Sequence, residues 1–250
     1  MRKKMDKQKQ IIEMFDSIAP TYDSANRILS LGIDVAWRKE ACKKAFEYFG
    51  EDSPSVILDV ACGTGDMILH WERNAKKFQK DFGKIIGIDP SNGMLEVARE
   101  KLKNQLESRK VELFLGEAKN LTNIEKQSVD ILSIAYGLRN VVDIKEALGE
   151  FARVLKKGGV LVILEFTKKE KENFLDKMMG FYTKKVLPII GGLLSKNYRA
   201  YKYLPDSIDG FLTSSMLIEE LNKLGVQMKF IKGYSANIST LLIGVKQQNE

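Results

Sequence analysis

The spacing of apolar positions along this chain changes near residue 55. Before it, "QKQIIEMFDSIA" (8–19) and "VAWRKEACKKAFEYF" (35–49) carry apolar residues three and four apart, which lines one face of a helix. Between them, "PTYDSANRILSLGID" holds Pro20, Asp23, Asn26 and Gly32, which break that pattern. Residues 1–52 are therefore expected to form an N-terminal helical extension.

From Ser55 onward short apolar runs alternate with helical stretches. "SVILDV", "KIIGID", "VELFLG", "VDILSIAYG" and "GVLVILEF" read as strands, with "MILHWERNAKKF", "MLEVAREKLKNQL" and "IKEALGEFARVLK" as helices between them. Buried strands joined by helices predict a parallel sheet covered on both faces. Near the end, "VQMKFIKGYS" and "ISTLLIGVK" follow each other with no helix between, so they should pair antiparallel at one edge. The expected fold is a Rossmann-like α/β sheet of seven mostly parallel strands with an antiparallel C-terminal hairpin. One domain is expected, with a cofactor-binding core over 53–167 and a closing helix and hairpin over 214–250. Residues 168–213 interrupt the rhythm and are rich in methionine, tyrosine and phenylalanine. They follow the fifth strand, on the side where open sheets admit ligands, and read as a substrate lid.

A length of 250 residues is ample for one such domain, and 44% hydrophobic with 29% charged residues excludes a disordered or fibrous chain. The net charge of +7 is scattered among acidic residues, so it reads as solvated surface and not as a nucleic-acid groove. The N-terminus lacks the apolar core of a secretory signal, and the longest apolar run, Val186 to Leu194, is too short to cross a bilayer. Cys42 and Cys62 form neither a CxxC nor a metal pattern, so no metal is expected and a reducing cytoplasm is the simplest location. His70, the only histidine, is expected to be exposed or structural.

The candidate chemistry lies in "VILDVACGTGD" (56–66), a strand running into a glycine loop. Gly63 and Gly65 match the first half of the dinucleotide fingerprint, but Ile68 stands where its third glycine belongs. Asp66 adds negative charge at the helix start that would otherwise attract a pyrophosphate. A cationic ligand without phosphate suits this loop better. Asp59 at the strand end can attract an ammonium, and Asp89 ends the second strand where a carboxylate accepts from ribose hydroxyls. Glu117 and Ala118 follow the third strand, where an amide and an acid can face an adenine. S-adenosylmethionine has all three features. The plainer readings are a capping role for Asp59, a turn role for Asp89 before Pro90, and a small turn residue for Cys62.

With these segments the chain resembles the class I methyltransferases, and among them the menaquinone/ubiquinone biosynthesis C-methyltransferases. The likeness covers nearly the whole length, through "MFDSIAPTYDSANRILSLGIDVAWRK", "ILDVACGTGDM", "GIDPSNGML", "IAYGLRNVVDIKEALGEFARVLKKGGVLVILEF" and "YKYLPDSI". It implies cofactor contacts from Thr64, Asp89, Glu117 and Ala118, with Gly63 and Gly65 shaping the loop. Cys62 and Glu117 depart from the family pattern, which usually has glycine and aspartate or asparagine there. The implied reaction methylates a ring carbon of a prenylated quinol. Arg139 would hold a phenolate, Asn140 would orient a water or the quinol oxygen, and Tyr22 and Tyr136 would line the ring pocket. The alternative is that Arg139 pairs with a carboxylate and Tyr136 belongs to the core. The apolar substrate tail and the basic surplus imply transient contact with the inner face of a membrane. A nucleic-acid partner is not expected. Oligomeric state, a homodimer included, is left open.

Overall fold

The computed structural model describes residues 2–50, 53–170, 198–235 and 237–248. Helix α1 (Arg2–Ile18), a 3-10 turn (Ala19–Thr21), α2 (Tyr22–Leu29) and α3 (Ile33–Phe49) precede the sheet. The chain then runs β1 (Val56–Val60), α4 (Asp66–Lys77), β2 (Lys84–Asp89), α5 (Asn92–Lys101), α6 (Lys103–Glu107) and β3 (Val111–Leu115). There follow β4 (Val129–Ala135), a 3-10 turn (Leu138–Asn140), α7 (Ile144–Val154) and β5 (Leu155–Phe166). Helices α8 (Tyr198–Asp209) and α9 (Ser214–Lys223) lead to β6 (Val226–Tyr234) and β7 (Ser239–Lys246).

The strands form one sheet in the order β3-β2-β1-β4-β5-β7-β6, with β7 antiparallel to both its neighbours. Alternating side chains divide between two cores, as the strand period of two requires. On one face Ile57, Ile85, Ile131 and Val162 meet Phe46 of α3 and Trp71 of α4. On the other, Leu58, Ile86, Leu132 and Ile163 meet Phe151 of α7 and Leu217 of α9. Chain order reverses between β1 and β4, so the crevice beyond their carboxyl ends is the natural ligand site of such a sheet.

The expected break over 20–34 is mostly helix instead. Pro20 sits at the start of a 3-10 turn, where its missing N–H goes unused, and Asp23 lies in the first turn of α2. These residues start a helix and do not end one. The stop comes after Leu29, where Leu31 and Gly32 turn left-handed with φ of 52° and 75°. The single helix expected over 94–106 is divided at Leu102 into α5 and α6. Strand β5 begins at Leu155, earlier than expected, because Leu155 still pairs with Val129 across a register shift. His70 is 6% exposed and structural, its imidazole pushed down to about 4 by burial. Both cysteines are buried and free. Of the expected lid, 171–197 lies outside the described residues. Its end is helix α8, which contacts α1 and the 3-10 turn at Leu138–Asn140.

Candidate functional site

The glycine loop begins in strain. Ala61, directly after β1, has a φ of 52°, and Tyr136, directly after β4, has 62°. Non-glycine residues rarely adopt this region, and it recurs at ligand sites. The two strand ends also crowd each other: a Cβ on Gly137 would stand 2.4 Å from that of Ala61. Gly63 and Gly65 follow with φ of 55° and 82°. A Cβ on Gly65 would collide with Leu102 at 2.7 Å, whereas one on Gly63 would meet nothing within 4 Å. Gly63 therefore faces open space. Ile68 is accommodated by a glycine on the strand: Gly87 of β2 leaves room for it, since a Cβ there would sit 2.9 Å from Ile68 Cδ1. The close approach of helix and strand survives, with the small residue moved to the strand.

Two carboxylates line the loop, each held by its own partners. Asp59 is 1% exposed, and its Oδ1 accepts 2.6 Å from Ser133 Oγ, which accepts 3.0 Å from Trp71 Nε1. Its Oδ2 is buried and has no partner. Burial raises the Asp59 carboxyl to about 7, against the hydrogen bond from Ser133. Asp89 accepts 2.8 Å from the Gly63 amide and 2.8 Å from the Ser91 amide. It therefore ties the loop as well as facing the cleft, with one lone pair left on each oxygen. Burial raises it to about 6, against those two amides.

The N-terminal helices cover this edge through four residues. Gln8 accepts 3.0 Å from the Val142 amide. Asp16 accepts 2.6 Å from Ser91 Oγ and 2.9 Å from the Gly93 amide, at the start of α5. Asp23 accepts 2.6 Å from Thr64 Oγ1, and Lys101 pairs with both Asp23 and Asp66. Arg27 reaches Asp66 at 3.1 Å and Asp34 at 2.9 Å. The charge of Asp66 is thus met by Lys101 and Arg27.

Beneath this cover lie two adjoining clefts. One, of about 680 Å³ and open to solvent, brings Asp89, Glu117 and Ala118 together with Tyr136, Asn140 and an apolar wall that includes Ile11 and Phe15. The other, of about 470 Å³, gathers Asp59, Thr64 and Arg38. Tyr22, Ala61, Gly63 and Ala135 line both. The structure brings Asp59, Gly63, Thr64, Asp89, Glu117, Ala118, Tyr22, Tyr136 and Asn140 to these clefts, with Gly65 packed behind the loop.

Arg139 is not among the lining residues. Its Nη1 donates 2.7 Å to Glu165 Oε1 and 2.6 Å to the Tyr136 carbonyl, and Glu165 is 1% exposed on its side chain. The charge of Arg139 still reaches Tyr22: burial raises that phenol, and the charges of Arg139 and Arg38 act against the rise. Tyr136 OH is 3.0 Å from Ser239 Oγ, so its ring and not its hydroxyl faces the cleft. Asn140 bonds the Tyr136 carbonyl at 3.4 Å and leaves the other end of its amide unpartnered.

Gln8, Asp16, Asp23, Arg38, Lys101 and Glu165 were not anticipated from the sequence. Each acts from an element far along the chain, and no local pattern marks it. Among the described residues no cluster fit to hold a metal occurs, and no helix is long and apolar enough to cross a membrane.

The unpartnered Asp59 oxygen, the open side of Gly63 and the Asp89 carboxylate fit a nucleoside that carries an ammonium. With the 3-2-1-4-5-7-6 sheet, this defines a Rossmann-like methyltransferase of the class that uses S-adenosylmethionine. A SAM-dependent methyltransferase of Thermotoga maritima superposes with a TM-score of 0.57 at 22% identity, covering 95% of this chain and 100% of that one. The chain belongs to the ubiE/COQ5 methyltransferase family, whose model matches residues 2–246. The ubiquinone/menaquinone biosynthesis C-methyltransferase UbiE of Campylobacter jejuni is 53% identical over 97% of this chain and 100% of its own length. The demethylmenaquinone methyltransferase of Thermotoga maritima is 38% identical over 89% of this chain and 90% of its own.

Proposed function

We propose that this chain transfers a methyl group from S-adenosylmethionine to a ring carbon of a prenylated quinol. Demethylmenaquinol is the substrate we infer, with the benzoquinol precursor of ubiquinol as a second. The observation that carries this reading is the meeting of two unlike clefts at Tyr22, one charged and one apolar. The names of the relatives support the quinol.

S-adenosylmethionine, when bound, supplies a methyl group on a sulfonium. Asp59, Gly63, Thr64, Gly65, Asp89, Glu117 and Ala118 are the residues we assign to holding it. A ring carbon becomes nucleophilic once a neighbouring hydroxyl gives up its proton, so the chain's task is to stabilise a phenolate and align the ring. Tyr22, within the field of Arg139 and Arg38, is suited to accept or donate a hydrogen bond at that oxygen. Arg139 supplies fixed positive charge behind Tyr22, and the free amide end of Asn140 supplies a second polar contact. Tyr136 contributes its ring as a wall. Helices α1 and α2 wall the cleft on one side.

We further propose that the chain works as one domain, with residues 168–213 as the lid over the prenyl tail. It meets the inner face of a membrane transiently and takes no nucleic acid. The test is direct: the purified chain, S-adenosylmethionine and a short-tailed demethylmenaquinol are incubated under reducing conditions. Mass spectrometry should find one methyl gained on the ring. An unaltered quinol alongside a chain that binds the cofactor normally would refute the substrate.

A further inference from the structure

Arg38 of α3 carries a charge that Asp34 and Asp66 offset from a distance but no described side chain hydrogen-bonds. Its side chain is 11% exposed and its Nε is buried without a partner. The closest carboxylate is Asp34, 3.7 Å from Nε, beyond a hydrogen bond. Asp34 is already satisfied: both of its oxygens accept 2.9 Å bonds from Arg27, and one accepts 2.7 Å from Ser30. The guanidinium lies instead over the Tyr136 ring, 5.3 Å from its centre. A buried cation that has a ring face and a distant, shared carboxylate but no hydrogen bond gains when an anion joins it.

Asp59 supplies the complementary vacancy. It lines the same cleft, its Oδ2 is buried and unpartnered, and Arg38 is near enough to favour its charged form. One wall of the cleft therefore lacks a cation and another lacks an anion. A free α-amino acid end carries one of each.

The geometry points to Arg38 as the clamp for the carboxylate of the cofactor's amino-acid end, with Asp59 Oδ2 receiving its ammonium. This deepens the proposed function and rests on it. A guanidinium offers five donors in a flat fork that matches a carboxylate two bonds at a time, and the buried Nε of Arg38 has no hydrogen-bond partner among the described residues. The Gly63 backbone between them, with open space where a side chain would be, leaves room for that end to lie across the loop.

The experiment compares two ligands, S-adenosylhomocysteine and its decarboxylated analogue, by calorimetry without quinol. A charge-assisted pair contributes roughly 1.5–3 kcal/mol, so the wild-type chain should prefer the carboxylate-bearing ligand by about 10–100-fold. In Arg38→Met that preference should fall to within about threefold, with the analogue bound as well as before. Asp34 keeps Arg27 and Ser30, so the substitution strands no carboxylate. Should Arg38→Met not fold, Arg38→Gln is read in the same way. A preference that survives in the folded variant, or an equal loss for both ligands, overturns the clamp. Equal binding of both ligands by the wild type also overturns it and leaves the cofactor reading standing. If the wild type binds neither ligand, the cofactor reading itself fails and the clamp falls with it.

Discussion

Thr64 Oγ1 donates a 2.6 Å hydrogen bond to Asp23, and this bond joins the glycine loop to helix α2. Lys101 of α5 sits at the junction, bonded to Thr64 and paired with Asp23 and Asp66. Three elements meet at one point beside the charged cleft. A ligand that enters or leaves beneath α1 and α2 would have to open such points, which makes them the place to test for a gate.

Asp23→Ala should therefore speed cofactor release. The pair is a fifth to a third exposed, so solvent screens it and the loss is about 1 kcal/mol, or severalfold in rate. Stopped-flow release of S-adenosylhomocysteine measures it, and hydrogen exchange over residues 5–29 should rise in parallel. An unchanged release rate would show that the cover does not gate the site.

Cofactor affinity should depend on pH through Asp59. Burial raises this carboxyl to about 7, so below that pH the free protein holds it neutral. An ammonium ligand favours the charged form, so binding releases a proton. Affinity should then rise with pH by up to about tenfold per unit below 7, and flatten above it. Asp89, raised to about 6, adds in the same direction at the acid end. The same shift weakens the fold as pH rises: with a native value above the unfolded one near 3.8, Asp59 contributes less stability from about pH 4 to 7. Calorimetry at several pH values in buffers of different ionisation heat tests the binding half. A flat profile would separate Asp59 from the ammonium.

Membrane contact should involve the corner between α2 and α3. Leu31 is 84% exposed there, beside Ile28 at 50% and Ile33 at 45%. Large exposed apolar residues grouped at one helix junction suit shallow insertion, and a net charge of +7 suits anionic lipid. Leu31→Glu with Ile33→Glu should cut sedimentation with anionic vesicles severalfold while leaving cofactor affinity intact. Added salt should weaken wild-type binding. Vesicle binding that ignores both the substitutions and the salt would refute this surface.

The legible parts of this chain are those whose signal is local. Strands such as "VDILSIA" are buried on both faces and read as unbroken apolar runs. Asp59 and Asp89 stand at strand ends, where position alone suggests a ligand role. Pro20 and Asp23 misled because the same residues that end one helix also begin another. Ile68 looked like an obstacle because Gly87, which makes room for it, lies on a different element. Arg38, Lys101 and Glu165 meet partners or vacancies that only the folded chain brings near. The pairing of Arg139 with a carboxylate was foreseen as an alternative, but Glu165 as its identity was not.

That pairing sets how the role of Arg139 must be tested. Its side chain is 8% exposed and that of Glu165 1%, so Arg139→Ala would strand a buried carboxylate. Breaking such a pair typically costs about 3–5 kcal/mol, enough to confuse lost folding with lost catalysis. Removing both charges avoids this. Arg139→Gln with Glu165→Gln leaves two neutral amides of similar shape, so the thermal midpoint should recover most of what either single change loses. Cofactor affinity should stay within about threefold of wild type, since neither residue lines the clefts. Turnover of a demethylated quinol should nevertheless fall by about 100-fold, because a phenolate loses the fixed cation behind Tyr22. A folded, cofactor-binding double variant with near-normal turnover would make the Arg139–Glu165 pair a structural element only.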